Sequence, residues 1–404
     1  MFRKSIYILL SLSAFIYSCD IGDNEADPSD SFTRIFNNSD FGGAFRPLDI
    51  KQTSDSGFIV LGATNSAAAA SNSFDRPYVL KADRFGEFEW ARTADEPFVN
   101  PVSSLIEIGG EFFFVSMDEI SLFAHLMKID LETRRVFSDQ TYANITYPLA
   151  ASQSGKDNGF FIMGYDRNDL STIMNRFNSD FSSAWNEPAE YSVFEDVEES
   201  IVSHLLRRQP LPFFTGELVD SDVLFFNGFR NFNFSFNFIN ASTGERIGGV
   251  NGIQDDSGIS AATHLGGSDL ALSRFSFGDN FILPRRDVNP LGNAESSDLG
   301  GNPFPELNDN ANVVVKTLEI NGSEYTLYAT DTRSGQIILI AYDTSGQLIG
   351  TTFLGRINPV EIGNFITTGD GGLAVLGTVY VAGRFPRITI FKFSAEELND
   401  ILGI

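Results

Sequence analysis

Residues 49–66, DIKQTSDSGFIVLGATNS, and 73–92, SFDRPYVLKADRFGEFEWAR, decide how this chain folds. Ser54-Asp55-Ser56-Gly57 is turn chemistry, Phe58 to Leu61 is a short apolar run closed by Gly62, and Tyr78 to Lys81 is a second run. Asp83-Arg84-Phe85-Gly86 is another tight turn, and Glu87 to Arg92 alternates and carries Trp90. An aspartate opens such turns because its carboxylate accepts from backbone N–H groups two residues on. A glycine closes them because it takes positive φ without steric cost. Short strands broken at this spacing read as antiparallel hairpins.

The unit recurs. A second-strand signal appears at Gly57-Phe58, Gly110-Glu111-Phe112, Gly159-Phe160, Pro212-Phe213, Ser268-Asp269-Leu270, Ser323-Glu324-Tyr325 and Gly372-Leu373, with spacings of 53, 49, 53, 56, 55 and 49 residues. A second mark runs in register with it. An Asp or Asn stands seven residues before a bulky apolar residue in Asp83/Trp90, Asp130/Phe137, Asn178/Trp185 and Asn240/Ile247. Internal periods of this size belong to solenoids, propellers or arrays, and about four short strands fill one period. The competing reading is an irregular β-sandwich or two stacked β domains. The expectation is an all-β chain: a β-propeller of seven blades, each a four-stranded antiparallel sheet.

The ends of the chain add to this. Arg3 and Lys4 precede an apolar run, Ile6 to Ile16, that is too short to span a bilayer. It stops at Ser18-Cys19, and Cys19 is the only cysteine. That is the lipoprotein processing pattern, so residues 1–18 are expected to be a signal peptide and Cys19 a lipidated N-terminus. Ile16 and Tyr17 depart from the strict enterobacterial pattern and resemble the relaxed version found in Bacteroidota. Residues 19–31 read as an acidic flexible tether, the propeller as 32–398, and 399–404 as a tail. Phe32 to Phe36 is a lone strand ahead of the first full repeat, while the last repeat lacks an outer strand and runs into a short capping helix at 394–398. The N-terminal strand is therefore expected to close the ring, which leaves no open sheet edge.

The middle of the chain holds Phe225-Phe226-Asn227-Gly228-Phe229, then Phe232, Phe234, Phe236 and Phe238 in alternation with polar residues. Period two places these phenylalanines on one face of a strand. An aromatic platform for sugar rings is one reading. With 39 Phe against 2 Trp and 11 Tyr, packing between neighbouring blades is the stronger one. Residues 284–311, PRRDVNPLGNAESSDLGGNPFPELNDNA, carry no period, and a long irregular stretch in a compact domain is often functional. Arg285, Arg286, Asp287, Glu306 and Asp309 are its candidate partner-contacting residues. Asn308-Asp309-Asn310 with Glu306 offer oxygens but lack the spacing of a calcium loop, so no metal or cofactor is expected. Residues 63–77, with Ala67 to Ala70, read as a smaller insertion between strands.

Charge excludes some partners. The chain holds 28 Lys plus Arg against 53 Asp plus Glu, and without Arg3 and Lys4 the balance is 26 − 53 = −27. Nucleic acid and anionic headgroups demand a basic footprint. His125, His204 and His264 fall in different repeats without ligand spacing. The sequence contains no nucleophile elbow, P-loop or dinucleotide fingerprint, and carboxylates are too plentiful to single out a glycosidase pair.

Thr53-Ser54-Asp55-Ser56-Gly57-Phe58 and Leu80 to Trp90 resemble the propeller-type repeats of Bacteroidota secreted and surface proteins, T-x-D-G-G-(aromatic) followed by (apolar)-K-x-D-x-x-G-x-x-x-W. Thr367-Thr368-Gly369-Asp370-Gly371-Gly372-Leu373 is similar to the first half, and the likeness extends over most of residues 32–393. The Ala82-Asp83 to Trp90 turn also resembles that of the lipoprotein propeller that scaffolds outer-membrane barrel assembly. A propeller hosts unrelated functions. The expectation is a non-enzymatic, lipid-anchored outer-membrane scaffold, exposed on the cell surface or facing the periplasm, that binds a protein complex or an extracellular glycan polymer. The runners-up are a polysaccharide-active propeller enzyme and a periplasmic assembly scaffold.

Overall fold

The computed structural model describes residues 30–36, 43–66, 73–382 and 385–403. Cys19, the signal segment and nearly all of the tether lie outside that range. Seven antiparallel sheets stand in a ring, at residues 43–93, 98–146, 150–192, 214–251, 257–303, 313–354, and 360–393 joined by 32–36. Their innermost strands are β2 (Gly43–Gln52), β6 (Phe98–Ile108), β10 (Ala150–Gln153), β14 (Phe214–Leu218), β18 (Ser257–Gly266), β23 (Val313–Ile320) and β27 (Val360–Thr367). Each touches the next, and β27 returns to β2, so they enclose a central channel. The seven-bladed propeller expected from the repeat is the fold. Ring closure also follows the sequence: β1 (Phe32–Phe36) pairs antiparallel with β29 (Arg387–Phe393), from Phe32 opposite Lys392 to Phe36 opposite Ile388.

The apolar residues explain the ring. Seven separate cores exist, one at each junction between blades. Adjacent residues of each second strand serve opposite junctions. Phe58 packs toward the seventh blade and Ile59 toward the second; Phe112 packs toward the first and Phe113 toward the third. Both faces of a middle strand are thus buried, which is why these strands read as unbroken apolar runs. The same geometry settles the phenylalanine run. Phe234, Phe236 and Phe238 are fully buried, and so are Ser235 and Asn237 on the opposite face. The polar face does not meet water, because another blade covers it.

The repeated turn is a pin. Asp55 accepts from Gly57 N (3.0 Å) and pairs with Lys81 Nζ (3.0 Å) on the third strand. Asp370 does the same with Gly372 N and Lys392, and Asp157 with Gly159 N and Arg176. Burial pushes the Asp55 carboxyl up, but hydrogen bonds from Thr53, Lys81 and Gly57 outweigh it and bring it down to about 2.

Four expectations change. The mark at Pro212-Phe213 precedes an innermost strand, not a second one; the second strand of that blade is β15 (Val223–Arg230). The first-to-second-strand turn there, Val219 to Asp222, contains no glycine, so the repeat signal is lost. The chain between the third and fourth blades carries an unexpected helix, α1 (Glu198–Leu205). The C-terminal helix, α2 (Ala395–Leu402), continues past 398 and leaves no separate tail at 399; Ser394 and Glu397 form its capping box. Finally, residues 284–311 are not structureless. They finish β20 (Asp279–Asp287), add β21 (Asn293–Glu295) in parallel to the fourth blade's outer strand, and supply β22 (Asn302–Pro303) as the fifth blade's own outer strand.

Candidate functional site

Alternating strand direction gives the ring two faces. First-to-second and third-to-fourth strand turns lie on one, called lower here. Second-to-third turns and the connections between blades lie on the other, the upper. Ser31, where the chain enters, is on the lower face, and its hydroxyl accepts from Ser394 N at 2.9 Å.

The lower mouth of the channel opens into a cavity of about 270 Å³ beside Lys51, Gln52, Glu107, Lys316 and Thr367. Its cations are already committed. Lys51 Nζ donates to Gln153 Oε1 (3.2 Å) and stands 3.9 Å from Glu107. Lys316 Nζ donates to the Phe365 carbonyl at 2.7 Å, and burial holds this ammonium below the usual lysine value. No aromatic side chain lines the cavity among the described residues, so it offers no stacking platform for a sugar.

Helix α1 and the chain after it lie on the upper face, in the connection between the third and fourth blades. Ile201 and Leu205 are buried in the junction core, and Arg207 Nε reaches the Asp75 carboxylate of the first blade at 2.8 Å. Arg46 on β2 stands 3.6 Å from the same carboxylate. His204 Nδ1 accepts from Leu211 N (2.9 Å). Burial and the nearby Arg207 charge bring its imidazole down to about 3, so it is neutral and structural. His264 Nδ1 likewise accepts from Val219 N, and His125 meets Ser138 and Thr141. Among the described residues no group of His, Cys, Asp and Glu could hold a metal ion.

Two carboxyls near the upper mouth invite an acid–base reading. Burial, with Glu361's charge adding, pushes Asp331 up to about 8. Yet Asp331 Oδ1 accepts from Ile362 N (2.6 Å) in the next blade, as Asp49 Oδ2 accepts from Leu105 N (2.6 Å). Both tie one blade to the backbone of the next. Glu361 is engaged by the Tyr380 hydroxyl at 2.7 Å.

The exposed apolar side chains sort by face. Of thirteen large ones among the described residues, Ile120, Phe194, Phe232, Ile253, Phe277, Ile357 and Phe385 are on the upper face, Val219 and Leu291 on the lower, and the other four on outer strands. The upper ones concentrate along the third, fourth and fifth blades. There the turns are stitched into one ledge: Phe232 N donates to Val193 O (3.0 Å), Phe234 N to Gln254 O (2.8 Å), and Phe277 N to Asp256 O (2.9 Å). Phe194 and Phe232 stack with centroids 5.8 Å apart.

The structure does not bring the five candidates from 284–311 together. Arg285, Arg286 and Asp287 end β20 on the lower face, while Glu306 and Asp309 lie in the upper connection, because the stretch climbs the full height of a blade. Arg285 pairs with Asp269 (2.5 Å), Arg286 reaches the Asp298 carbonyl (3.5 Å), and Asp287 accepts from Ser268 (2.6 Å). Asp309 pairs with Arg333 at 2.6 Å. The ledge was missed. Phe232 shares the spacing of Phe234 and Phe236, and only the turn that breaks the alternation could have separated it.

No protein-family model matches the chain, and no curated protein matches it. Solved structures do. The BP39L lectin from Burkholderia pseudomallei aligns with a TM-score of 0.53 at 10% identity, over 86% of this chain and 98% of its own. Hydrazine synthase from Kuenenia stuttgartiensis aligns with a TM-score of 0.50 at 10% identity, over 86% and 98%. The β-propeller domain of the Trilobed protease from Pyrococcus furiosus aligns at 0.43, with 11% identity over 89% and 98%. At these identities the first two likenesses show the fold alone.

Proposed function

We propose that the protein is a non-enzymatic binding scaffold, lipid-anchored in the outer membrane through Cys19 and exposed on the cell surface, whose upper face receives a partner. The carrying observation is the separation of faces. The chain enters at Ser31 on the lower face, twelve residues after Cys19, while the exposed apolar residues gather on the opposite face. An anchor on one side leaves the other available. Exposed apolar side chains gathered on one face, with Phe194 and Phe232 in contact, mark an interaction site. The channel supports the non-enzymatic reading, because its lysines and carboxyls are already held by other groups of the ring. A net charge of −25, or 26 − 53 = −27 without Arg3 and Lys4, argues against nucleic acid as the partner.

The test is a pull-down from gently solubilised outer membranes with Cys19 intact. A membrane complex recovered in stoichiometric amount is expected. If the protein comes down alone, the scaffold reading fails, and glycan arrays and polysaccharide hydrolysis assays decide between the remaining readings. Cys19→Ala should release the protein from the membrane fraction, and proteolysis of intact cells separates the cell surface from the periplasmic face.

A further inference from the structure

Three aromatic residues of the upper ledge occupy backbone positions that the fold has no reason to give them. Asn231-Phe232 and Phe277-Gly278 are two-residue hairpin turns with positive φ at both positions, 49° and 66°, then 50° and 92°. Such turns favour Asn, Asp and Gly. Phe194, in the connection alongside, has φ 63°. An aromatic residue in this region of φ is disfavoured, and here burial does not compensate: Phe194, Phe232 and Phe277 are 63%, 52% and 69% exposed. The second and third blades supply the comparison. Leu122 and Leu170 precede their third strands as Phe232 does, also at positive φ (65° and 47°), but both turn inward against the junction core.

We propose that this ledge docks a basic polypeptide segment of a partner protein. The inference rests on the scaffold reading above and names the partner's chemistry. Charge complementarity selects that occupant. The ledge is built from residues 194–196, 231–233, 253–256 and 277–279, which contain Glu195, Asp196, Asp255, Asp256 and Asp279; the cations beside them are Arg230, half-buried at the end of β15, and Arg333, which is paired with Asp309. Aromatic faces bordered by carboxylates accept ammonium and guanidinium groups along with the apolar stems that carry them. The same carboxylates repel anionic polymers and anionic lipid. Beside the Phe277-Gly278 turn, a cleft of about 90 Å³ between Asp279, Phe304, Pro305 and Arg333 gives an anchoring side chain a place to insert.

The experiment titrates the full mature chain with a synthetic peptide of alternating Lys and Leu, and with its Glu-for-Lys counterpart, by fluorescence anisotropy. The Lys peptide should bind saturably, and raising salt from ~50 to ~300 mM should weaken it about tenfold. The double variant Phe232→Asn/Phe277→Asn should weaken it at least about tenfold while melting higher than the native protein, because Asn suits both turns. Phe277→Asn alone should do part of each. Equal binding of the Glu peptide, or binding unchanged by these substitutions, overturns the proposal. So does the absence of salt-sensitive binding, or a preference for neutral glycans, phosphatidylcholine vesicles or a second copy of this chain. If the double variant still recovers the membrane complex, the scaffold reading stands and the ledge does not. If neither protein recovers a complex, the scaffold reading falls and takes this inference with it.

Discussion

Arg207, in the connection between the third and fourth blades, donates its Nε to the carboxylate of Asp75 in the first blade at 2.8 Å. The two residues are 132 positions apart, and Asp75 is 6% exposed. This pair holds the chain that follows α1 over the upper end of the innermost strands. Among the described residues, Arg207→Leu leaves Asp75 with Arg46 alone, at 3.6 Å. A hydrogen bond between charged partners with one side buried is worth about 2 kcal/mol, and denaturant unfolding should show a loss of that size. In a double-mutant cycle, Arg207→Leu combined with Asp75→Asn should cost less than the sum of the two. Additive losses would mean that the contact does not hold the connection down.

Asp331 sets a pH dependence of opposite sign to that of an ordinary carboxylate. Unfolded, it titrates near 3.8; folded, burial moves it up to about 8. Between those values the native state holds a proton that the unfolded state has lost, so this group's contribution to stability is complete below about pH 4 and declines as pH rises toward 8. Asparagine keeps the acceptor for Ile362 N without the charge. Asp331→Asn should therefore raise the melting temperature relative to the native protein at pH 8 and do little at pH 4. A difference that stays constant with pH would show that the charge is not what burial penalises.

How much of this was legible follows from where the physics is local. The pin of Asp55, Gly57 and Lys81 is a local device, and its copies announced the blades. The ring closure was legible as a missing strand at one end and a spare one at the other. The fourth blade was misplaced because its first turn relies on Asp220 and Asp222 without a glycine. Helix α1 escaped because its inward residues are few: Val197, Ile201 and Leu205, spaced by four over a short segment. The outer strand at Asn302-Pro303 is two residues long and has no period to read. Phe232 shares its spacing with core residues, and spacing in sequence cannot show that a turn has changed the side a residue faces.

Glycines in the pinned turn are not equivalent, and this can be measured. A Cβ on Gly57 would strike Lys81 Nζ and the Ala82 carbonyl, since the third strand passes directly over it. Gly369, in the matching turn of the seventh blade, stands where the first blade has Ser54, and a Cβ there would meet only the flexible end of Gln52 at 3.4 Å. Gly57→Ala should cost about 2 kcal/mol, the range for forcing extra volume into a packed site. Gly369→Ala should lie within about 0.5 kcal/mol of the native protein, as surface changes do. Equal losses in the two unfolding curves would contradict the close approach.

Ring closure rests on the N-terminal strand. β1 contributes the outer strand of the seventh blade: Thr389 Oγ1 donates to the Arg34 carbonyl at 2.9 Å, Phe36 is buried against the core, and Phe32 packs edge-on against Phe58 at 6.1 Å. Deleting residues 32–36 removes the ladder to β29 along with these contacts. Four or five net hydrogen bonds at about 1 kcal/mol each, plus one buried Phe at about 2 kcal/mol, make a loss of about 6 kcal/mol. For a domain this large that corresponds to a fall in melting temperature of about 8 °C. It also uncovers β29, a strand of seven residues rich in Ile and Phe, as an open edge that can pair with another molecule. The truncated protein should therefore melt earlier in calorimetry and associate with rising concentration in sedimentation. A truncated form that melts like the native protein would show that the ring does not depend on its N-terminal strand.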